Sequence, residues 1–121
     1  RIPIQWYKNI ISKIREVSDM PIYIFSDAEN TELKEILDID NCKRAYFGSA
    51  ISDLLALSNC KLLISSASTF SMWASFLGQM PTIWFPGQMR QKLIIDEKLF
   101  EGEIDYNDPL PTSIIQLLNN D

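Results

Sequence analysis

The spacing of apolar residues changes several times along this chain, and each change marks an element. Tyr7, Ile10, Ile11, Ile14 and Val17 recur at intervals of three and four, with Lys8, Lys13, Arg15 and Glu16 off that line. This predicts an amphipathic helix over residues 3–18. Asp19-Met20-Pro21 breaks it, and residues 21–25, rich in β-branched and aromatic side chains, read as a strand closed by Ser26-Asp27. Residues 30–37 form a shorter helix with Glu32 in its first turn, and Ala45-Tyr46-Phe47 reads as a brief strand. Gly48-Ser49 then turns the chain into a helix over 51–58, which buries Ile51, Leu54, Leu55 and Leu57 and takes Ser49 or Ser52 as its cap.

The stretch 61–77, KLLISSASTFSMWASFL, organises the rest. Leu62-Leu63-Ile64 is a short apolar run of the kind a buried strand shows. Ser65-Ser66-Ala67-Ser68 follows as a small-residue turn, and Phe70, Trp73, Phe76 and Leu77 have the spacing of a helix's buried stripe. Trp73 and Phe76 are therefore expected in the core. Gly78 stands where a left-handed residue would end that helix. Residues 81–85 are a further strand, stopped by Pro86-Gly87, while 88–95 fits helix and strand equally. A closing helix over 110–118 starts near Pro111.

Strands alternating with helices over short links predict a single α/β domain. Its expected form is a three-layer open sandwich with a mostly parallel sheet of four or so strands, of Rossmann or flavodoxin type. In such sheets ligands sit beyond the carboxyl ends of the strands. Ser26-Asp27, residues 47–49, 65–69 and 85–90 fall at that edge. The turn at 65–69 offers free backbone N–H groups at a helix start, where the helix dipole favours an anion. Ser65, Ser66, Ser68, Thr69 and Ser71 add hydroxyl donors, more than the single cap a helix needs. Capping alone is the competing account of these residues.

The 121 residues carry a net charge of −5, which argues against a nucleic-acid backbone as the main partner. With no histidine, Ser-His-Asp and Cys-His nucleophile systems and histidine-containing zinc sites are excluded. Cys42 and Cys60, without a CxxC, indicate neither a metal knuckle nor a redox pair and read as reduced, cytosolic thiols. No apolar run reaches membrane-spanning length, and no signal peptide or repeat is visible. Arg1 in place of Met reads as a fragment or a processed product, so that a partner domain is expected to be missing.

Three stretches resemble the α-1,2-fucosyltransferase family (glycosyltransferase family 11 type), within the GT-B glycosyltransferases. Tyr23-Ile24-Phe25-Ser26-Asp27 is similar to its FSDD strand end, and residues 52–60 to its D-x-x-L-M-S-x-C helix. Residues 67–74 resemble its N-S-T-F-S-W-W turn, in the same order, so that the likeness covers roughly residues 4–86. Ala28, Ala67 and Met72 depart from the pattern, and the family's basic H-x-R-R-G-D segment would precede Arg1.

The resemblance implies the C-terminal, nucleotide-sugar-binding lobe of such an enzyme, whose N-terminal lobe is missing. It implies that Ser66, Ser68, Thr69 and Ser71 hold the diphosphate of GDP-fucose and that Asp53 accepts hydrogen bonds from the guanine edge. No catalytic residue is expected in this chain, no metal and no cofactor besides the GDP-sugar donor. The expected partners are a nucleotide-sugar, a glycan acceptor and the absent lobe. The expected place is the cytoplasm or the inner face of a membrane. Asp27 reads as a turn or capping residue, Arg90 and Lys92 as surface charges within reach of an anion. Trp6 reads either as the seam with the absent lobe or as a partly buried surface residue. The rivals are a stand-alone flavodoxin-like module binding a nucleotide or phospholigand, a receiver-like signalling domain, and a purely structural domain. The receiver needs an acidic cluster that Asp27 beside Ala28 does not begin well.

Overall fold

The computed structural model describes residues 2–26, 28–46, 48–66 and 68–119. In chain order the elements are α1 (Ile4–Arg15), β1 (Ile22–Ile24), α2 (Asn30–Leu37), β2 (Cys42–Arg44), α3 (Ala50–Leu57), β3 (Leu63–Ile64), α4 (Thr69–Gly78), β4 (Thr82–Trp84), β5 (Glu101–Glu103) and α5 (Thr112–Asn119). All strand pairing among the described residues is parallel: β1 with β2, and β3-β4-β5 in that order. The α/β class expected from the alternating pattern is the one observed.

Side-chain alternation sorts the layers. Leu63 pairs with Thr82, and Ile64 with Ile83. Ile64 and Ile83 face a core built from Trp6, Ile10 and Ile14 of α1, Leu110, and Ile114 and Leu118 of α5. Leu63 faces the other way, against Leu57 of α3 and Ala74 of α4. Ile22 of β1 joins the first core and Phe25, just past β1, joins the second, so the two sheets continue one another as a layer. Ile11, Ile36 and Cys42 close the α2 side. On the α4 side the Ser75 hydroxyl meets the Thr82 hydroxyl at 2.8 Å, both residues fully buried, and Thr82 donates onward to the Met80 carbonyl.

Several expectations give way to packing. The strand expected at 45–47 lies at Cys42–Arg44, where Cys42 turns inward and Lys43 and Arg44 stay exposed, an edge with little apolar signal. Phe47 itself lies outside the described residues. β5 has no apolar side chain at all, because inward-pointing Glu101 is held by hydrogen bonds, described below. The left-handed residue after α4 is Gln79 (φ 50°), not Gly78. Gly78 is the last helical residue, and it is small because α3 crowds it: a β-carbon there would lie 2.1 Å from the Ser58 carbonyl oxygen. Trp6 is neither a seam nor a surface residue. It is fully buried, donates its indole N–H to the Ile104 carbonyl at 2.8 Å, and meets Tyr7 and Phe85 edge-on.

The largest departure concerns α3 and α4. Trp73, Phe76 and Leu77 are about half exposed rather than core, as are Ile51 and Leu55. The small faces of α4, through Ser71, Ala74 and Ser75, are what pack inward. Periodicity gave the helix but assigned the wrong face.

Candidate functional site at the start of α4

The close approach of Gly78 to Ser58 joins the C-terminal end of α4 to that of α3. Each helix follows a parallel strand, α3 after β2 and α4 after β3, so that the first turn of each lies beyond the carboxyl end of its strand. Phe25, Leu54 and Phe70 each pack against the cluster of Leu57, Leu63, Ala74 and Met80. The first turn of α4 stands at the carboxyl edge of β3.

At that edge four serine hydroxyls form a connected group. Ser68 is the N-cap of α4, and its Oγ accepts from the Ser71 N–H at 3.1 Å. Ser66 Oγ lies 3.0 Å from Ser68 Oγ, Ser68 Oγ 3.2 Å from Ser71 Oγ, and Ser71 Oγ 3.1 Å from Ser65 Oγ. Ser65 and Ser71 are buried, whereas Ser66, Ser68 and Thr69 are exposed. Ser71 also donates to the Ser68 carbonyl at 3.1 Å, so it braces the turn from inside. Ser66, Ser68 and Thr69 are exposed at a positive helix end, with the hydroxyl protons of Ser66 and Ser68 given within the serine group. Ala67 lies outside the described residues.

Asp53 sits half-buried in the first turn of α3, its N–H donating to the carbonyl of Ser49, the N-cap. It is at the same end as the serine group, on the neighbouring helix. Ser49, not Ser52, is the cap: its Oγ accepts from the Ser52 N–H at 3.2 Å. Asp27 lies outside the described residues.

Arg44 was not singled out by sequence pattern. From the end of β2 its guanidinium donates to the Ser26 carbonyl at 2.6 Å and to Asn30 Oδ1 at 2.8 Å, tying the β1–α2 turn to the edge. A lone arginine in a Cys-Lys-Arg strand offers no signal of that role. Arg90 and Lys92 are exposed on the segment between β4 and β5. That segment is fastened by side chains: Glu103 accepts from the Met89 N–H, and the buried Glu101 carboxylate accepts from the N–H groups of Leu93 (2.9 Å) and Ile94 (3.1 Å). Gln79 reaches the same segment, donating to the Leu93 carbonyl and accepting from the Ile95 N–H.

Cys42 and Cys60 are free thiols, both pushed above their ordinary pKa by burial, with Arg15 opposing the shift at Cys42. Among the described residues no group of three His, Cys, Asp or Glu is placed to hold a metal ion, and no helix is long and apolar enough to cross a membrane.

Residues 3–90 match the family described as Glycosyl transferase family 11. The chain is 32% identical over 109 aligned residues to the O-antigen biosynthesis glycosyltransferase WbnK of Escherichia coli, a match covering 78% of this chain and 35% of that relative. The chain thus spans about a third of the length of the curated relative it matches. No solved structure matches it.

Proposed function

The chain belongs to glycosyl transferase family 11, and from that premise we propose that it is the C-terminal, donor-binding lobe of a GT-B glycosyltransferase. It binds GDP-fucose for transfer to a glycan acceptor in O-antigen or similar polysaccharide assembly. The observation that carries this reading is the serine group at the start of α4, with Asp53 in the first turn of α3. Ser66, Ser68 and Thr69 donate to the diphosphate, and the first-turn N–H groups of α4 stabilise charge as it builds on the departing GDP. Ser71, buried behind them, keeps Ser68 in position and contributes to the anion through it. Asp53, an acceptor-only carboxylate, takes the donor edge of guanine.

These groups supply charge stabilisation without a metal. The acceptor hydroxyl attacks the anomeric carbon from the side of the absent lobe, with inversion, and the general base belongs to that lobe. The chain alone is inactive in transfer. The full enzyme works in the cytoplasm or at the inner face of the membrane, where it meets donor and acceptor.

A calorimetric titration with GDP, UDP and ADP, repeated on a Ser68→Ala, Thr69→Ala variant, tests the reading. GDP-selective binding that disappears in the variant is expected. Equal affinity for all three diphosphates would remove the guanine role of Asp53 and leave a phospholigand module. Undiminished GDP binding in the variant would sink the diphosphate site.

A further inference from the structure

Trp6 and Trp84 are both fully buried, and their indole N–H groups fare differently. Trp6 donates to the Ile104 carbonyl at 2.8 Å, as a buried indole usually does. Trp84, 1% exposed at the end of β4, finds no acceptor for its Nε1–H among the described residues. An unmet buried donor weakens a fold and calls for a reason.

Strand alternation says on which side this indole lies. Thr82 meets Ser75 of α4 and Ile83 faces the opposite core, so Trp84 returns to the α4 side of the sheet. On β3 the same alternation brings Leu63 and then Ser65 to that side, and Ser65 Oγ stands 3.1 Å from Ser71 Oγ. Ile64 pairs with Ile83, and the Ser65 N–H donates to the Ile83 carbonyl at 2.8 Å. One step further along the ladder Ser65 and Trp84 are neighbours, which sets Trp84 beside the serine group at the carboxyl ends of β3 and β4. On its other side Trp84 pairs with Glu103, which accepts from the Met89 N–H at 3.1 Å, so the segment between β4 and β5 passes next to it. Near the edge that segment is tethered through the exposed Glu103, whereas Leu93 and Ile94 are held deeper by the buried Glu101.

We propose that the Trp84 indole donates to a phosphate oxygen of the diphosphate held at the serine group, and that residues 86–92 lift to admit it. The inference rests on the donor-lobe reading above and adds to it a residue of β4. The hydroxyl protons of Ser66 and Ser68 are given within the serine group, whereas the indole proton is uncommitted. An indole N–H donates and does not accept, so it meets a phosphate with no opposing lone pair. A bond made only with ligand present accounts for a donor left unmet in the chain by itself. The segment that lifts carries the exposed Arg90 and Lys92.

Proton–nitrogen correlation spectra of the wild-type chain test this, since Trp6, Trp73 and Trp84 each give one indole N–H peak. Adding GDP should move the assigned Trp84 peak downfield and leave the Trp6 peak in place, while guanosine, which lacks the diphosphate, moves neither. The Met89 amide, released from Glu103, should exchange with solvent faster in the GDP complex. Trp84→Phe keeps an aromatic ring and removes the N–H; with circular dichroism reporting the variant folded, calorimetry should show GDP affinity about tenfold lower. GDP binding with the Trp84 peak unmoved, or undiminished in Trp84→Phe, overturns the proposal and leaves the serine site standing. A Trp84 shift produced by guanosine overturns the phosphate contact, and an unchanged Met89 exchange rate overturns the lifting. A wild-type chain that binds no GDP removes the donor site, and this proposal falls with it.

Discussion

A β-carbon on Gly78 would lie 2.1 Å from the carbonyl oxygen of Ser58 and 2.9 Å from Met80 Cε. The methionine can swing aside, but the carbonyl belongs to the last turn of α3 and cannot. This contact limits how closely α3 and α4 can lie together.

Gly78→Ala should therefore push the helices apart at a cost of about 1–3 kcal/mol. Thermal unfolding should show a melting temperature lower by several degrees. An unchanged melting temperature would mean that α3 shifts freely to make room for the added methyl group.

Ser68 has two tasks that one substitution separates. Aspartate also caps helices well and suits the positive helix end, so Ser68→Asp should keep the stability of the wild-type chain. Its carboxylate repels a diphosphate, so GDP affinity should fall more than tenfold, about 1.4 kcal/mol. Ser68→Ala should instead lose about 1 kcal/mol of stability with the cap. Retained GDP binding in Ser68→Asp would leave capping as the whole role of this residue.

Glu101 holds the N–H groups of Leu93 and Ile94 in a segment without secondary structure. Glu101→Ala leaves both donors without their acceptor, at about 1–3 kcal/mol for each group that stays buried. Hydrogen exchange should quicken at Leu93 and Ile94 well before it does in β4. Glu101→Gln keeps one acceptor oxygen and should fall between the two.

Burial pushes the Tyr7 hydroxyl from 10.0 up to about 12. The unfolded chain then releases this proton before the folded one, so folding binds the proton more tightly between those values. The resulting stability is complete below pH 10 and is lost as pH rises from 10 toward 12. Denaturant midpoints should fall across that window in the wild-type chain and fall less in Tyr7→Phe. Cys42 and Cys60, also raised by burial, weaken the fold in the same direction once pH passes their ordinary pKa of 9.0.

The helices were legible where one face is apolar and the other charged, as in α1, whose Ile10, Ile11 and Ile14 bury as their spacing predicts. α2 falls at Asn30–Leu37, as its pattern predicts. The turn into α4 was legible too, because a short apolar strand, a run of small hydroxyl residues and a helical spacing form a local pattern. Arg44 was not, since its partners Ser26 and Asn30 are brought to it only by the parallel pairing of β1 and β2.

The residues themselves determined the order of elements as far as β4, the parallel α/β class and the hydroxyl-rich helix start, since each rests on local spacing and local bonding. Tertiary structure alone decided which faces are covered. β5 is a strand because Thr82, Ile83 and Trp84 offer it an edge to pair with, and Glu101 is buried there because Leu93 and Ile94 need an acceptor. Trp73 and Phe76 face outward because Ser71, Ala74 and Ser75 are the side chains small enough for α4 to lie close against the sheet. Apolar spacing states what a helix can bury; the neighbours available in three dimensions determine what it does bury.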